Sequence, residues 1–377
     1  MKVLVAMSGG VDSSVAAALV RADGHETVGV TMRLWGGDSD TGCCSVADVD
    51  DARRAAQQLG IDHLVFNFSE RFDERVVVPY VQAHAEGRTP NPCIECNRHL
   101  KFDRLLERAR ALGFDAVATG HHARIVRDGA GRARVARGAD AAKDQSYVVH
   151  VLGGADLGYV TFPVGELTKA KVREHAARLG LRTAAKPDSQ DVCFISRDGG
   201  REAFLGARIP LRGGEVVTAA GARVGEVRAL ELVTVGQRRG LGIEDGVAAK
   251  RYVWEVDARA GRVVVGDEAG LMDAATPVSG LAWTHGAPAD GDRVVVQCSA
   301  HGEARPATLR DVDAAAGSMT IAWDAPHRRV APGQAVVCYD PDGDWVLGAG
   351  TAEPPRATGA SARRAPGRDG ARSTAEA

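Results

Sequence analysis

The sequence has no excess of charge of either sign and no long apolar run. Its 377 residues carry a formal net charge of −2, so no overall field attracts nucleic acid or a membrane, and a nucleic-acid partner would have to be held by local patches. No apolar stretch approaches the length that crosses a bilayer. The short apolar run at the start lacks a secretory pattern. We therefore expect a cytoplasmic protein with no membrane partner.

Cysteine is present, but not as a disulfide framework or a zinc pattern. The chain has seven cysteines, an odd number, and a single C-x-x-C pair, Cys93 and Cys96. No second pair follows, and the adjacent His121 and His122 are badly spaced for one metal. This usage favours a reducing compartment and a chemical role for the thiols. A redox pair and a thiolate nucleophile with a neighbour both remain open.

The most informative motif follows the apolar run from 3 to 7. Residues 8–15 read Ser-Gly-Gly-Val-Asp-Ser-Ser-Val, between a predicted buried strand and an Ala/Val-rich predicted helix. Such a turn brings backbone N–H groups onto an anion at a helix N-terminus. A Walker A loop would need a Lys before its Ser/Thr, and this loop has none, so amides and serine hydroxyls would hold the phosphates, together with Mg²⁺. A plain strand–turn–helix is the alternative.

This arrangement resembles the PP-loop of ATP pyrophosphatases, which cleave ATP to AMP and pyrophosphate. Strand and helix signals alternate to about residue 196, which predicts a doubly wound, Rossmann-like parallel sheet with ligands at the carboxyl ends of its strands. Two further residues, Met32 and Gly120, lie at such ends. The candidate ATP-binding residues are Ala6, Met7, Ser8, Gly9, Gly10, Val11, Asp12, Ser13, Met32 and Gly120.

The pattern changes after about residue 200 to short β-like runs separated by Gly turns. We predict a nucleotide-binding domain over 1–196, a small β-rich domain over 197–272 and a C-terminal β-barrel over 273–353. The segment 354–377 contains mostly Ala, Gly, Ser, Pro and Arg. That composition predicts a disordered tail.

A second group of candidate residues surrounds the cysteines. The prolines in Thr89-Pro90-Asn91-Pro92-Cys93 predict a rigid extended loop that presents Cys93 and Cys96 rather than packing them. A further cysteine, Cys193, follows a polar stretch that begins at Asp188.

Several motifs together make the chain similar to the tRNA-specific 2-thiouridylases over residues 3 to about 350. The matching segments occur in the order of that family and are residues 8–14, Cys43-Cys44-Ser45, 87–92 with Cys96-Asn97, 143–147, 188–195 and 234–242. The resemblance implies that ATP and a protein-borne persulfide convert the C2 carbonyl of the wobble uridine in tRNA to a thiocarbonyl. Adenylation makes the carbonyl oxygen a good leaving group, and phosphoryl transfer of this kind depends mainly on positioning and charge.

The same resemblance implies roles for individual residues. Cys193 would carry the persulfide, and Cys96 would be the nucleophile that attacks either that persulfide, forming a Cys96–Cys193 disulfide, or the adenylated base. The sulfur donor would be a persulfide-bearing sulfur-carrier protein or a cysteine desulfurase. The implied RNA contacts are Asn91, Pro92 and Cys93 at the target base, and Lys143, Asp144 and Gln145 elsewhere on tRNA.

Position 93 leaves one cofactor question open. Relatives carry either aspartate or cysteine at this position, and with Cys93 present, Cys96 and Cys193 could join it as ligands of an iron–sulfur cluster. The alternative is that Cys93 only lines the pocket.

Two other functions compete with sulfur transfer. A PP-loop enzyme that transfers nitrogen to an adenylated carbonyl would leave Cys96 and Cys193 without a role. A non-catalytic nucleotide sensor would bind ATP without releasing pyrophosphate.

Overall fold

The computed structural model describes residues 1–34, 46–188, 192–195, 199–243 and 250–355. The motif residues Cys43 and Cys44, residues 189–191 and nearly all of the predicted tail lie outside the described residues. None of the described helices has the length and apolar character that crossing a membrane requires.

The first part of the chain forms a five-stranded parallel sheet in the order β3-β2-β1-β4-β7. The strands are β1 Lys2–Ala6, β2 Glu26–Arg33, β3 Asp62–Asn67, β4 Ala116–Thr119 and β7 Val160–Thr161. β1 is almost wholly apolar because it is buried on both faces. The expected doubly wound sheet is confirmed.

Helices cover both faces of this sheet. One face packs against α1 Val11–Ala22, α2 Val46–Gln58 and α8 Lys169–Arg178. The other packs against α3 Ser69–Phe72, α4 Val78–Ala85, α5 Pro92–Cys96, α6 Leu105–Ala111 and α7 Ser146–Val149. Two π-helical stretches, Asp73–Val77 and Asn97–Arg104, join α3 to α4 and α5 to α6. A short 3-10 turn, Arg182–Ala185, follows α8.

The strand order places the crevice where ligands bind in such sheets. The chain runs from β1 outward through β2 and β3, then returns to add β4 on the other side of β1. Loops after β1 and β4 therefore leave the sheet in opposite directions, and doubly wound folds bind their ligands at this point. The hairpin formed by β5 Ala123–Arg127 and β6 Ala133–Arg137 projects from the loop after β4.

Two β structures complete the fold. After α9 Gly200–Gly206 comes a four-stranded sheet in the order β10-β11-β8-β9, formed by β8 Gly214–Thr218, β9 Arg223–Val227, β10 Tyr252–Asp257 and β11 Arg262–Gly266. The closed six-stranded barrel contains β12 Met272–Trp283, β13 Arg293–Gln297, β14 Arg305–Asp313, β15 Ser318–Arg328, β16 Ala335–Tyr339 and β17 Val346–Ala352. Its pairing of β12 with β17 closes the ring, as the predicted barrel requires.

The barrel shares a core with the parallel-sheet domain. Barrel residues Val337, Tyr339 and Val346 belong to the same apolar cluster as α4, α5 and α6. The backbone N–H of Thr89 also donates to the carbonyl of Pro332, at 2.8 Å. The barrel therefore holds the loop that leads into the C-x-x-C pair.

Candidate active site

The phosphate-loop motif forms a compact turn between β1 and α1. The backbone N–H of Ser8 donates to Oγ of Ser13 at 3.1 Å, and the Ser13 hydroxyl donates to the carbonyl of Gly10 at 3.2 Å. Ser14 donates to the same carbonyl at 2.9 Å. These bonds fix the turn while the first N–H groups of α1 keep no partner within their own helix, which is the usual basis of anion binding at a helix N-terminus.

Two glycines allow the backbone to close around this turn. Gly9 has a φ of 72°, and a Cβ there would lie 2.3 Å from the carbonyl oxygen of Asp48. A Cβ on Gly120, just after β4, would lie 2.6 Å from the backbone nitrogen of Ser13. Neither contact leaves room for a side chain. The ends of β1 and β4 thus meet at the start of α1.

The other candidate ATP-binding residues occupy the neighbouring strand ends. Ala6 ends β1, Met7 donates its backbone N–H to Val30 of β2 at 2.8 Å, and Val11 opens α1. Met32 lies near the end of β2 and is buried. The sequence-predicted set therefore gathers at one edge of the sheet.

Asp12 is held by two basic side chains from distant parts of the chain. The ammonium of Lys169 lies 2.7 Å from both carboxylate oxygens, and Nε2 of His122 lies 3.2 Å from one of them. Burial favours the neutral acid, but the bonds from His122 and Lys169 outweigh it and lower the pKa of Asp12. Asp12 is consequently an anion that is already partnered.

Lys169 also reaches the segment that leads to Cys193. Its ammonium lies 2.9 Å from Asp188, whose carboxylate in addition accepts from Lys143 at 2.9 Å and Arg173 at 2.8 Å. Burial alone would raise the pKa of Asp188, but the hydrogen bonds from Lys143 and Lys169 lower it to about 2. An ion-pair chain, Asp12–Lys169–Asp188–Lys143, therefore joins the phosphate loop to this segment.

A second lysine approaches the other side of the loop. The ammonium of Lys186 donates to the carbonyl of Gly9 at 3.0 Å and to the carboxylates of Asp48 and Asp51, each at 2.7 Å. Burial would lower the pKa of Lys186, but the bonds to Asp48 and Asp51 raise it. Sequence reasoning missed both Lys169 and Lys186, since an isolated lysine far from the motif carries no local signal.

The expectation that the C-x-x-C pair lies on an extended loop is wrong. Pro92 occupies the first turn of α5, and the side chain of Asn91 caps this helix by accepting from the N–H of Cys93, at 3.0 Å. Proline suits this position because the first helical N–H needs no intrahelical partner. Cys93 is exposed, whereas Cys96 at the end of α5 is buried, with 9% of its surface exposed.

Cys193 lies beside the same core as Cys96. The ring of its neighbour Phe194 packs edge-on against Phe72 and Tyr80, with centroids 5.6 and 5.5 Å apart. Cys96 and Phe194 both belong to the apolar cluster between the sheet and the barrel, and the half-buried Cys193 packs against it. Cys96 and Cys193 therefore border one packed region. Residues 189–191, just before Cys193, lie outside the described residues.

The described residues do not gather a metal site. Among them, no group of three His, Cys, Asp or Glu side chains is placed to hold a metal ion. The ligand set Cys93, Cys96 and Cys193 for an iron–sulfur cluster stays a prediction.

Asp144, which the resemblance implies to be a tRNA contact, accepts hydrogen bonds from within the protein. Its side chain is 7% exposed and accepts from Arg137 at 2.9 Å, the hydroxyl of Ser146 at 2.7 Å and the backbone N–H of Gly138 at 2.9 Å. The guanidinium of Arg137 also stacks 3.9 Å from the ring of Tyr339 in the barrel. Asp144 thus joins the parallel-sheet domain to the barrel.

Its two neighbours turn toward the phosphate loop. Lys143 reaches Asp188, and the side chain of Gln145 accepts from the backbone N–H of His122 at 2.9 Å. Because His122 contacts Asp12, the segment 143–145 supports the same ion-pair chain from both sides.

Comparisons with known proteins agree along most of the chain. Residues 1–197 match the family model described as a tRNA methyl transferase HUP domain, residues 202–267 a tRNA methyl transferase PRC-barrel domain, and residues 276–352 an aminomethyltransferase beta-barrel domain. Among solved structures, a complex of a 4-thiouridine synthetase with RNA and bound ATP is 20% identical, covering 51% of this chain and 44% of that chain, with a TM-score of 0.34. A likeness that low supports no functional argument.

Full-length relatives are much closer in sequence. A tRNA-specific 2-thiouridylase from Mycolicibacterium gilvum is 47% identical over 363 residues, covering 93% of this chain and 99% of the relative. One from Chloroflexus aggregans is 46% identical over 355 residues, covering 92% and 97%. With identity at this level along nearly the entire length of both proteins, the chain belongs to the family of tRNA-specific 2-thiouridylases.

Proposed function

We propose that this chain is a tRNA-uridine 2-sulfurtransferase. It uses ATP to adenylate the C2 carbonyl oxygen of the wobble uridine and replaces that oxygen with sulfur, releasing AMP and pyrophosphate. The ion-pair chain from Asp12 through Lys169 to Asp188 carries the proposal. It connects a phosphate loop to the segment that bears Cys193, as a reaction that needs both ATP and a sulfur carrier requires.

ATP binds with its phosphates over the turn at residues 8–10 and the start of α1. Backbone amides and the hydroxyls of Ser8 and Ser13 hold the phosphate oxygens. Lys169 and Lys186 supply the positive charge that the loop sequence lacks, one from each side. In the resting state both ammonium groups are held by carboxylates, so phosphate oxygens can replace carboxylate oxygens around a preformed cation.

A Mg²⁺ ion bound with the nucleotide would be held mainly by phosphate oxygens, the usual way in which this ion is held in nucleotide sites, and would neutralise negative charge on the departing pyrophosphate. No part of the proposal depends on a metal site formed by the protein alone.

The target base leaves its stack to reach the site, as bases do in enzymes that modify them. Asn91, Pro92 and Cys93 at the start of α5 contact it. The C2 oxygen attacks the α-phosphorus, the bond to the β-phosphate oxygen breaks, and pyrophosphate leaves. The product is an adenylated uridine whose C2 position is open to a nucleophile.

Sulfur then arrives as a persulfide on Cys193. In one route, the thiolate of Cys96 attacks the Cys193 sulfur, hydrosulfide leaves, and hydrosulfide adds to C2 and expels AMP. A Cys96–Cys193 disulfide remains, and an external dithiol must reduce it before the next turnover. In the other route, the Cys96 thiolate attacks C2 of the adenylated base and expels AMP. The outer sulfur of the Cys193 persulfide then adds to C2 and expels the Cys96 thiolate, which attacks the inner sulfur on Cys193, so that 2-thiouridine leaves and the same disulfide remains. Burial of Cys96 keeps water away from either reaction.

The persulfide comes from a sulfur-carrier protein or a cysteine desulfurase. The half-buried Cys193 lies at the boundary of the core, which supports loading by a partner from the surface. We place the reaction in the cytoplasm. Neither route needs an iron–sulfur cluster.

Anaerobic reactions of the full chain with unmodified tRNA, ATP and a persulfide donor test this function. We expect 2-thiouridine together with AMP and pyrophosphate, and the same yield from protein that contains no iron. Pyrophosphate release with nitrogen incorporation, and no thiouridine, would instead establish the nitrogen-transferring function. ATP binding without pyrophosphate release would establish the sensor. Thiouridine formed only by iron-loaded protein would establish a cluster.

A further inference from the structure

A cleft opens between α5 and the rim of the barrel. Its helical wall includes Asn91, Glu95 and Arg98, and its barrel wall includes Trp283 of β12. Positions 91, 95 and 98 are spaced so that they share one side of a helix. The cleft therefore adjoins the proposed contact with the target base.

The barrel wall presents an aromatic ring with an unused donor. Trp283 pairs with Gly348 of β17, where a Cβ would lie 2.3 Å from the indole ring, so the ring is seated directly on the strand backbone. Its indole Nε1 is buried and has no acceptor among the residues that the structure describes. Buried donors are nearly always bonded, so this side of the cleft is suited to a ligand that brings an acceptor.

The remaining walls supply an acceptor and a cation. Nδ1–H of His150 donates to the carbonyl of Tyr147 at 2.6 Å, which leaves Nε2 as an acceptor. Burial lowers the pKa of His150 to about 4, so the ring is neutral at physiological pH. Arg98, 3.4 Å from Glu95, keeps 40% of its side chain exposed and can reach a phosphate.

We propose that this cleft holds an unpaired nucleotide of the tRNA next to the target uridine. A flat aromatic wall, one donor, one neutral acceptor and a guanidinium match the chemistry by which proteins hold unstacked RNA nucleotides. The inference rests on the proposed function. It adds a second nucleotide site that shares α5 with the target-base contact and explains why the barrel is packed against that helix.

A double-mutant cycle between protein and RNA tests the cleft. The protein variants are Trp283→Ala and Arg98→Gln. The control is Arg104→Gln, which lies on the same helical run and pairs with Glu107 at the same i,i+3 spacing, outside the cleft. The RNA is an anticodon stem-loop with the wobble uridine, intact or with an abasic site on its 5′ or 3′ side. Dissociation constants come from fluorescence anisotropy, and melting temperatures check folding.

Trp283→Ala should weaken binding of the intact RNA about tenfold, since stacking of a base on an aromatic ring has an effect of this order. It should have little effect on the RNA that is abasic at the occupied position, and Arg104→Gln should bind like wild type. Equal penalties on intact and abasic RNA would overturn the inference, as would no penalty at all.

The remaining outcomes distinguish a failure of the cleft proposal from a failure of the proposed function. If Trp283→Ala does not fold, Arg98→Gln decides in a second cycle, in which a methylphosphonate replaces the phosphate of the occupied nucleotide and should abolish the penalty of Arg98→Gln. If wild-type protein forms thiouridine but the cycle is additive, the cleft proposal alone fails. If wild-type protein forms no thiouridine on tRNA, the proposed function fails first.

Discussion

Lys169 and Asp12 form a two-oxygen ion pair, at 2.7 Å to each carboxylate oxygen, although 157 residues separate them in the sequence. The pair brings the start of α8 onto the phosphate loop. It adds α8 to the elements around the phosphate loop, where the residues predicted from the sequence came only from β1, α1, the turn between them and the ends of β2 and β4.

Replacing Lys169 tests whether this pair serves the first chemical step. Lys169→Gln removes the cation shared by Asp12 and Asp188, and the loss of one preorganised charge at such a site costs a factor of about 100 in rate. We expect pyrophosphate release to fall by that order. Lys171→Gln, exposed on the same helix, is the matched control. Normal pyrophosphate release by Lys169→Gln would remove Lys169 from the site.

Gly120 should be intolerant of even a methyl group. In Gly120→Ala, the new Cβ meets the backbone nitrogen of Ser13 at 2.6 Å, so β4 or the start of α1 must move. Overpacking of this kind costs about 1–3 kcal/mol. We expect a lower melting temperature and no stabilisation by added ATP. Gly129→Ala in the hairpin, where a Cβ meets open space, should melt like wild type; equal behaviour of the two variants would contradict the close approach.

Ionisation of Asp188 should make the free energy of unfolding depend on pH in acid solution. Burial opposes its charge, but bonds from Lys143 and Lys169 hold its pKa at about 2 in the folded protein, below about 3.9 in an unfolded chain. The carboxylate therefore stabilises the fold above about pH 4, and this contribution is lost as the pH falls toward 2. Between about pH 4 and 2, the free energy of unfolding, measured with denaturant, should fall less with decreasing pH in Asp188→Asn than in wild type. An unchanged slope relative to wild type would mean that the ion-pair chain does not stabilise the fold.

Asp144 should affect tRNA binding only by stabilising the folded protein, without contacting the RNA. Asp144→Asn breaks a buried pair with Arg137, which costs about 3–5 kcal/mol when one partner is removed. We expect a large loss of stability in urea, with unchanged tRNA affinity in the fraction that remains folded. Asp324→Asn, which breaks an exposed pair with Arg293 in the barrel, should unfold in urea nearly like wild type, because solvent screens such pairs. Weakened tRNA binding at unchanged stability would instead make Asp144 a direct contact.

Local sequence signals predicted the fold and the phosphate loop well. The apolar run of β1, the Gly-Gly turn and the small residues of α1 are contiguous, so periodicity and turn chemistry identify them. The hairpin of β5 and β6 is specified in the same local way, because Asp128 and the nearby glycines favour its turn.

Long-range contacts could not be predicted in the same way. Lys186 meets Gly9 across 177 residues, and no short pattern distinguishes it from other lysines. Two prolines around Asn91 are compatible with either an extended loop or a helix start, and the cap bond to Cys93 decides for the helix. Because this segment is helical, the side chain of Cys96 points into the apolar core.

The most direct test of the account follows both halves of the reaction in cysteine variants. Cys96→Ala, Cys193→Ala and, as control, Cys298→Ala, which changes a half-buried cysteine directly after β13, are incubated with tRNA, ATP and a persulfide donor. Pyrophosphate release and 2-thiouridine are then measured in the same samples. We expect Cys193→Ala to form the adenylated uridine and release pyrophosphate without any thiouridine, Cys96→Ala to form no thiouridine, and Cys298→Ala to do both. If Cys193→Ala loses both pyrophosphate release and thiouridine formation, the proposed sulfur transfer is contradicted. It is also contradicted if Cys96→Ala or Cys193→Ala forms thiouridine.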